Sequence, residues 1–244
     1  ERWRPEPDGK DVIYFAPGVH HIGDYEIPSG KTVYLAGGAY VYGKLITEKD
    51  SENIRIFGRG ILDGRDNERG GLRTVELQFT RDAYLEGITI VDAPNWTCRV
   101  FGSDRVNIYN VNIFGWRGNT DGVDVCGSRH VDVSGMFIRN WDDALAVKAF
   151  NTGDVDEVYF HDCIVWNDFA RPIEVGYENS ADRIHNVRYR DIDIIHSMSG
   201  YPLIGIHQGD RAEIYDILFE NIRVEDALRR QFIELRIKPS AWNA

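Results

Sequence analysis

Two short stretches carry the residues most able to do chemistry. One reads Asn119-Thr120-Asp121-Gly122-Val123-Asp124; the other, Asn140-Trp141-Asp142-Asp143-Ala144, begins 21 residues later. Clustered carboxylates offer two complementary roles. Like charges brought together raise at least one pKa, so one carboxyl keeps its proton near neutrality and can donate it, while an ionised neighbour can take a proton from water. This requires Asp121, Asp142 and Asp143, separated by 21 and 22 residues, to share one pocket.

A solenoid would achieve it. A short alternating segment, a turn residue and a second alternating segment recur as "AYLEGITI" (83–90), "VNIYNVNI" (106–113), "VDVSGMFI" (131–138), "VYFHDCIV" (158–165), "VRYRDIDI" (187–194) and "ILFENIRV" (217–224). The last residues step by 23, 25, 27, 29 and 30, and "IRIFGRGILDG" (54–64) fits more loosely. The units are β-branched and aromatic with period 2, and too short for a crossover with a full helix. Repeats of this length predict an all-β fold, a parallel β-helix. A leucine-rich repeat would need a dense Leu signature that is missing, and a β-sandwich is the competing topology. Residues one coil apart then lie about 4.8 Å from each other. Both acidic stretches precede an apolar β-like run, "GVDVCG" and "ALAVKA", so one register stacks the three aspartates. The arrangement would suit glycosidic bond hydrolysis. Turn capping by Asp and Asn, and a calcium site, are the alternative uses of the same residues.

The rest of the sequence bounds the possibilities. A chain of 244 residues can bury a sizeable core. Residues 1–11 read as a linker or lead segment, as from an upstream domain, and 12–244 as the β-helix domain. A net charge of −11 argues against a nucleic-acid partner, although an acidic protein can still hold a basic cleft. No run of 18 apolar residues predicts a membrane span. Cys98, Cys126 and Cys163 form neither a disulfide framework nor a zinc motif and are expected to be buried apolar residues. No signal peptide is recognisable, no cofactor or metal is expected, and the sequence leaves the oligomeric state open.

The motifs resemble those of glycoside hydrolase family 28, the pectinase-type enzymes that include polygalacturonases. The family pattern "SPxW", "NTDGID", "DDxIAIK" is met by "APNW" (93–96), "NTDGVD" (119–124) and "DDALAVK" (142–148), and the similarity spans roughly residues 12 to 230. The resemblance implies an all-β, single-stranded right-handed parallel β-helix, and inverting hydrolysis of a polysaccharide outside the cell or in the periplasm. Asp142 would be the general acid, Asp121 and Asp143 the pair that activates water, and Asn119 and Lys148 cleft residues. Inverting enzymes usually hold their carboxyls about 6.5–9.5 Å apart, more than direct stacking gives.

Two departures concern the substrate. Arg171, in "ARPIEVG" (170–176), stands where the family has a histidine; it cannot shuttle a proton but can hold a carboxylate ionised. The family's "RIK" carboxylate clamp is absent from its expected place, where the chain has "RYRDID" and then "IGIHQGDR"; Arg236 to Lys238 reads as a coincidental match. The substrate is therefore expected to be pectic or a neutral glycan, with Glu174, Tyr177, His207 and Gln208 as further contacts. Trp116 and Trp141 are the aromatics expected to stack on sugar rings, ahead of Trp96 and Trp166. Dextranase-type enzymes of family 49 share the fold and a comparable aspartate trio. A non-catalytic glycan-binding β-helix and a lyase or epimerase are the competing functions.

Overall fold

The computed structural model describes residues 5–70, 73–150, 152–228 and 231–239. The chain winds as a parallel β-solenoid with three faces. The first sheet stacks Val12–Phe15, Thr32–Leu35, Glu52–Gly58, Arg81–Glu86, Asp104–Tyr109, Arg129–Ser134 and the leading halves of Asp156–Asn167, Val187–Ser197 and Ile217–Val224. The second contains Ile61–Asp63, Thr89–Val91, Asn112–Phe114 and Phe137–Asn140. The third, which carries the acidic motifs at its entrance, stacks Val75–Gln78, Cys98–Phe101, Val123–Cys126, Leu145–Ala149, Ile173–Asn179, Ile204–Gln208 and Ile233–Ile237. The pairings between these strands are parallel, as the repeats predict, and the described residues contain no helix. Hence no helix is long and apolar enough to cross a membrane.

The repeated octets explain the winding. Their alternation sends one set of side chains inward: Val106, Ile108, Val131, Val133, Val158 and Phe160 are buried. Their central turn residues, Gly87, Asn110, Gly135, Asp162, Asp191 and Asn221, have φ between 51° and 77° and turn the chain from the first sheet to the second. That left-handed conformation is costly for most residues and easy for Gly, Asn and Asp. Inside, Phe160, Tyr189 and Phe219 stack with ring centroids 4.8 and 5.2 Å apart.

The corner from the third sheet back to the first is satisfied by hydroxyls. Ser51 and Thr80 meet at 2.7 Å, and the Thr80 and Ser103 amides donate to the hydroxyls of Ser103 and Ser128, each at 3.0 Å. The three cysteines are free and buried, as expected. Part of the lead segment is described: Asp11 is ion-paired at 3.0 Å to Lys31 of the next coil.

The corner rule is testable. Asn110→Gly should leave stability nearly unchanged, whereas Asn110→Val, forced into the same φ of 53°, should lose about 1–2 kcal/mol by chemical denaturation.

Candidate functional site

The register of the third sheet brings the acidic motifs together. Val123 pairs with Leu145, so Asp121 and Asp143, each two residues earlier, occupy equivalent positions on adjacent coils. The stacking extends into the turn, where the Gly122 amide donates to the Asp143 carbonyl at 2.8 Å. One carboxylate oxygen from each of Asp121, Asp142 and Asp143 lies within 4.8 Å of the others.

Buried carboxamides fix this turn. Asn140 Nδ2 donates to the carbonyls of Thr120, Asp142 and Asp143 at 3.2, 2.6 and 2.9 Å, and Asn167 of the next coil donates to Asn140 Oδ1 at 3.1 Å. Asp142, half-buried, accepts the backbone N–H groups of Asp143 and Asn119 at 3.0 and 3.2 Å. Asp143 accepts the Arg171 backbone N–H at 3.1 Å. Asn119 is exposed on the turn beside Asp142.

Two cations balance the acids. Lys148, expected to line the cleft, is buried, with Nζ 3.0 Å from Asp121, 2.9 Å from Asp124 and 3.9 Å from Glu178, and over the Trp96 ring at 3.7 Å. Burial alone would lower its pKa, but Asp121, Asp124, Glu178 and Asp143 together hold it well above the ordinary value. Arg171 reaches Asp143 at 3.7 Å and Glu174 at 3.2 Å. Burial opposes its charge too, and Glu174 and Asp143 outweigh that. The three aspartates could also cage a hard cation, yet Lys148 already brings a positive charge against Asp121.

Burial raises all four neighbouring carboxyls. Asp121 is held well above the ordinary range by desolvation and then by Asp124, and Asp143 by desolvation, Glu174 and Asp142. Asp142 and Asp124 are raised by desolvation, and the charge of Lys148 pulls both back.

Glu174 and His207, expected to touch substrate, are fully buried. His207 Nδ1 lies 2.6 Å from Glu174 and Nε2 3.0 Å from Glu234, with the Tyr177 ring stacked on the imidazole at 4.2 Å. Glu174 pairs with Arg171 and His207 holds Glu174, and neither has surface open to solvent. Gln208 accepts from Asn179 Nδ2 at 3.3 Å and the Asp210 amide at 2.9 Å. Trp141 is exposed beside Asp142 and stacks on Phe169. Trp116 is 66% exposed and lies near Arg117 on the turn that leads to Asn119. Trp96 is buried under Lys148, and Trp166 packs on His196 and Arg139. A separate groove on the outer first sheet, lined in part by Arg55, Phe57, Tyr84 and Tyr109, includes none of the three aspartates.

Asp124, Glu178, Phe169 and Tyr201 did not emerge from the sequence. Asp124 could have: alternation from the inward Val123 and Val125 points it outward, beside the lysine one coil on.

Residues 45–239 match the family described as glycosyl hydrolases family 28. The chain belongs to that family. Among family 28 relatives, the probable endopolygalacturonase E of Aspergillus niger is 24% identical over 227 residues, covering 88% of this chain and 58% of its own length. The chain thus spans less than two thirds of that relative. The family 28 exopolygalacturonase of Yersinia enterocolitica superposes with a TM-score of 0.67 at 12% identity, covering 92% of this chain and 62% of that one. Dex49A from Penicillium minioluteum superposes at 0.59 with 18% identity, covering 95% and 52%, which shows that the fold is shared. The family match runs through Arg236 to Lys238, and Arg236 lies in register with His207 one coil on, paired to Glu234 at 2.9 Å.

Two measurements test the site's energetics. A Cβ at Gly205 would collide with Glu174 Oε2 and lie 2.5 Å from His207 Cε1. Gly205→Ala should cost about 1–3 kcal/mol in denaturant unfolding, because a packed ion network must move. For Asp121, a folded pKa raised above 3.8 gives stability that is complete below the unfolded value and is lost as pH rises through the folded one. The melting temperature of Asp121→Asn relative to wild type should therefore be more favourable at pH 8 than at pH 4, whatever the loss of the Lys148 contact costs at both.

Proposed function

We propose that the chain hydrolyses O-glycosidic bonds within a polysaccharide, with Asp142 as general acid and Asp121 and Asp143 holding the attacking water. The single observation that supports this most is the meeting of three buried or half-buried carboxyls from adjacent coils, with nearest oxygens within 4.8 Å. Desolvation raises the pKa of all three carboxyls, so the assignment of Asp142 as the acid rests on position: it is the most exposed of the three and the one a leaving oxygen can reach. Lys148 and Arg171 offset negative charge on Asp121 and Asp143. Arg171 in place of the expected histidine supplies that balance without exchanging protons. Trp141 and the exposed Asn119 border the opening, where sugar would approach.

The substrate we favour is pectic, on the family relationship, with a neutral glycan as the alternative because Lys148 and Arg171 are committed to protein carboxylates. A polymer of this kind is met outside the cytoplasm, so we place the protein's work in an extracellular or periplasmic setting. Inversion rests on the resemblance. The short oxygen separation lies nearer the roughly 5–5.5 Å between the carboxyls of retaining enzymes than the 6.5–9.5 Å of inverting ones.

Reducing ends released from pectic, α-glucan and arabinan polymers identify the substrate. On it, Asp142→Asn should lower kcat by about 10²–10⁴-fold with binding retained. Proton NMR of the first product should show the inverted anomer. Binding that persists with no turnover in the wild type would instead support a glycan-binding module.

A further inference from the structure

Three exposed aromatic side chains from successive coils line up beside Asp142. Trp141, Phe169 and Tyr201 are 39%, 47% and 42% exposed. The rings of Trp141 and Phe169 are parallel within 1° with centroids 5.6 Å apart, and Phe169 meets Tyr201 edge-on at 6.1 Å. Large exposed apolar groups on a solenoid are ordinary when scattered; a continuous row is not.

The row adjoins the acid cluster directly. Trp141 precedes Asp142 in the chain, and the Arg171 guanidinium that faces Asp143 lies 4.6 Å from the centre of the Tyr201 ring. Trp141 and Phe169 also sit on a stiff base, because each adjoins the turns anchored by the buried Asn140 and Asn167. A rigid row of rings exposed to water loses little conformational entropy when it is covered.

We infer that Trp141, Phe169 and Tyr201 form a sugar-stacking subsite, running from Asp142 toward the C-terminal coils, that holds the glycan on one side of the bond to be cleaved. This rests on the proposed function and adds to it the direction of the bound chain and two residues, Phe169 and Tyr201, outside the acidic motifs. The occupant is a polysaccharide, argued from the row's continuity with the acid cluster. Pyranose rings present C–H groups that pack on aromatic surface, and the three side chains, though packed on one another, leave 39% to 47% of their surface open to it. The row carries no charge of its own, so it grips the ring faces of the glycan, whatever their substituents.

The test uses the Asp142→Asn chain, so that binding is read without turnover. Tryptophan fluorescence is titrated with oligogalacturonides, isomalto-oligosaccharides and arabino-oligosaccharides. At least one series should perturb the emission, and Trp141→Phe should remove that signal while leaving affinity measured by calorimetry within a few-fold. Phe169→Ala and Tyr201→Ala should each weaken binding about tenfold. Phe169→Tyr and Tyr201→Phe should restore it, and melting temperatures should stay unchanged because both rings are exposed. Unaltered affinity in both alanine variants would overturn the subsite, as would a panel in which nothing binds. Concentration-dependent dimerisation abolished by Phe169→Ala would overturn it too, by assigning the row to a second copy of the chain. Activity retained by Asp142→Asn would overturn the general-acid role alone and leave the subsite standing.

Discussion

Stacking register is the constraint from which the rest follows. Each residue of the third sheet sits about 4.8 Å from the same position on the coils before and after it, so a charge is always next to whatever its neighbours carry there. One outward column runs Glu76, Arg99, Asp124, Ala146, Glu174, Gly205, Glu234. No two acids are adjacent in it. Arg99 binds Glu76 directly at 2.7 Å. Further along, a small residue follows Asp124 and Glu174, and the partner side chain comes from two positions downstream on that coil. Lys148, after Ala146, reaches back to Asp124, and His207, after Gly205, reaches back to Glu174. The same diagonal device appears on both sides of the aspartate cluster.

That device explains how so much charge can be buried in a strand-built rod. Isolated, a carboxylate such as Asp124 or Glu174 would be prohibitive to desolvate. Paired diagonally, these acids form a fixed floor, and Asp121, Asp142 and Asp143 stand on it with the proton affinity that burial confers. Only Asp142 among them has appreciable contact with solvent. The floor offsets part of the cluster's charge and holds the acids in place beside one another.

What the sequence revealed was what depends on short spans. The turn residues of the octets, Asn110 or Asp191 for example, announce their left-handed corners by type alone. The aspartate pairing was legible because the two motifs flank a single coil whose length the repeat measures. Glu174 and His207 are 33 residues apart, and His207 and Glu234 are 27 apart. Such pairings depend on how many residues each coil spends in its loop between the second and third sheets. No local pattern states that number, so His207 looked like a ligand-facing residue when it is sealed between two acids. The row of Phe169 and Tyr201 was hidden for the same reason: each ring is unremarkable in its own loop, and only stacking makes them neighbours.

Arg171 and Glu174 carry a consequence for how such a site can change over generations. A histidine at position 171 would shorten the side chain and leave the fully buried Glu174 with His207 but without its guanidinium partner. Gly205 in turn admits no larger residue while Glu174 and His207 remain. These positions are therefore epistatic: a lineage can trade one arrangement for the other only by altering several of them together. A graft of the single histidine into this scaffold would inherit the cost of both arrangements and the benefit of neither.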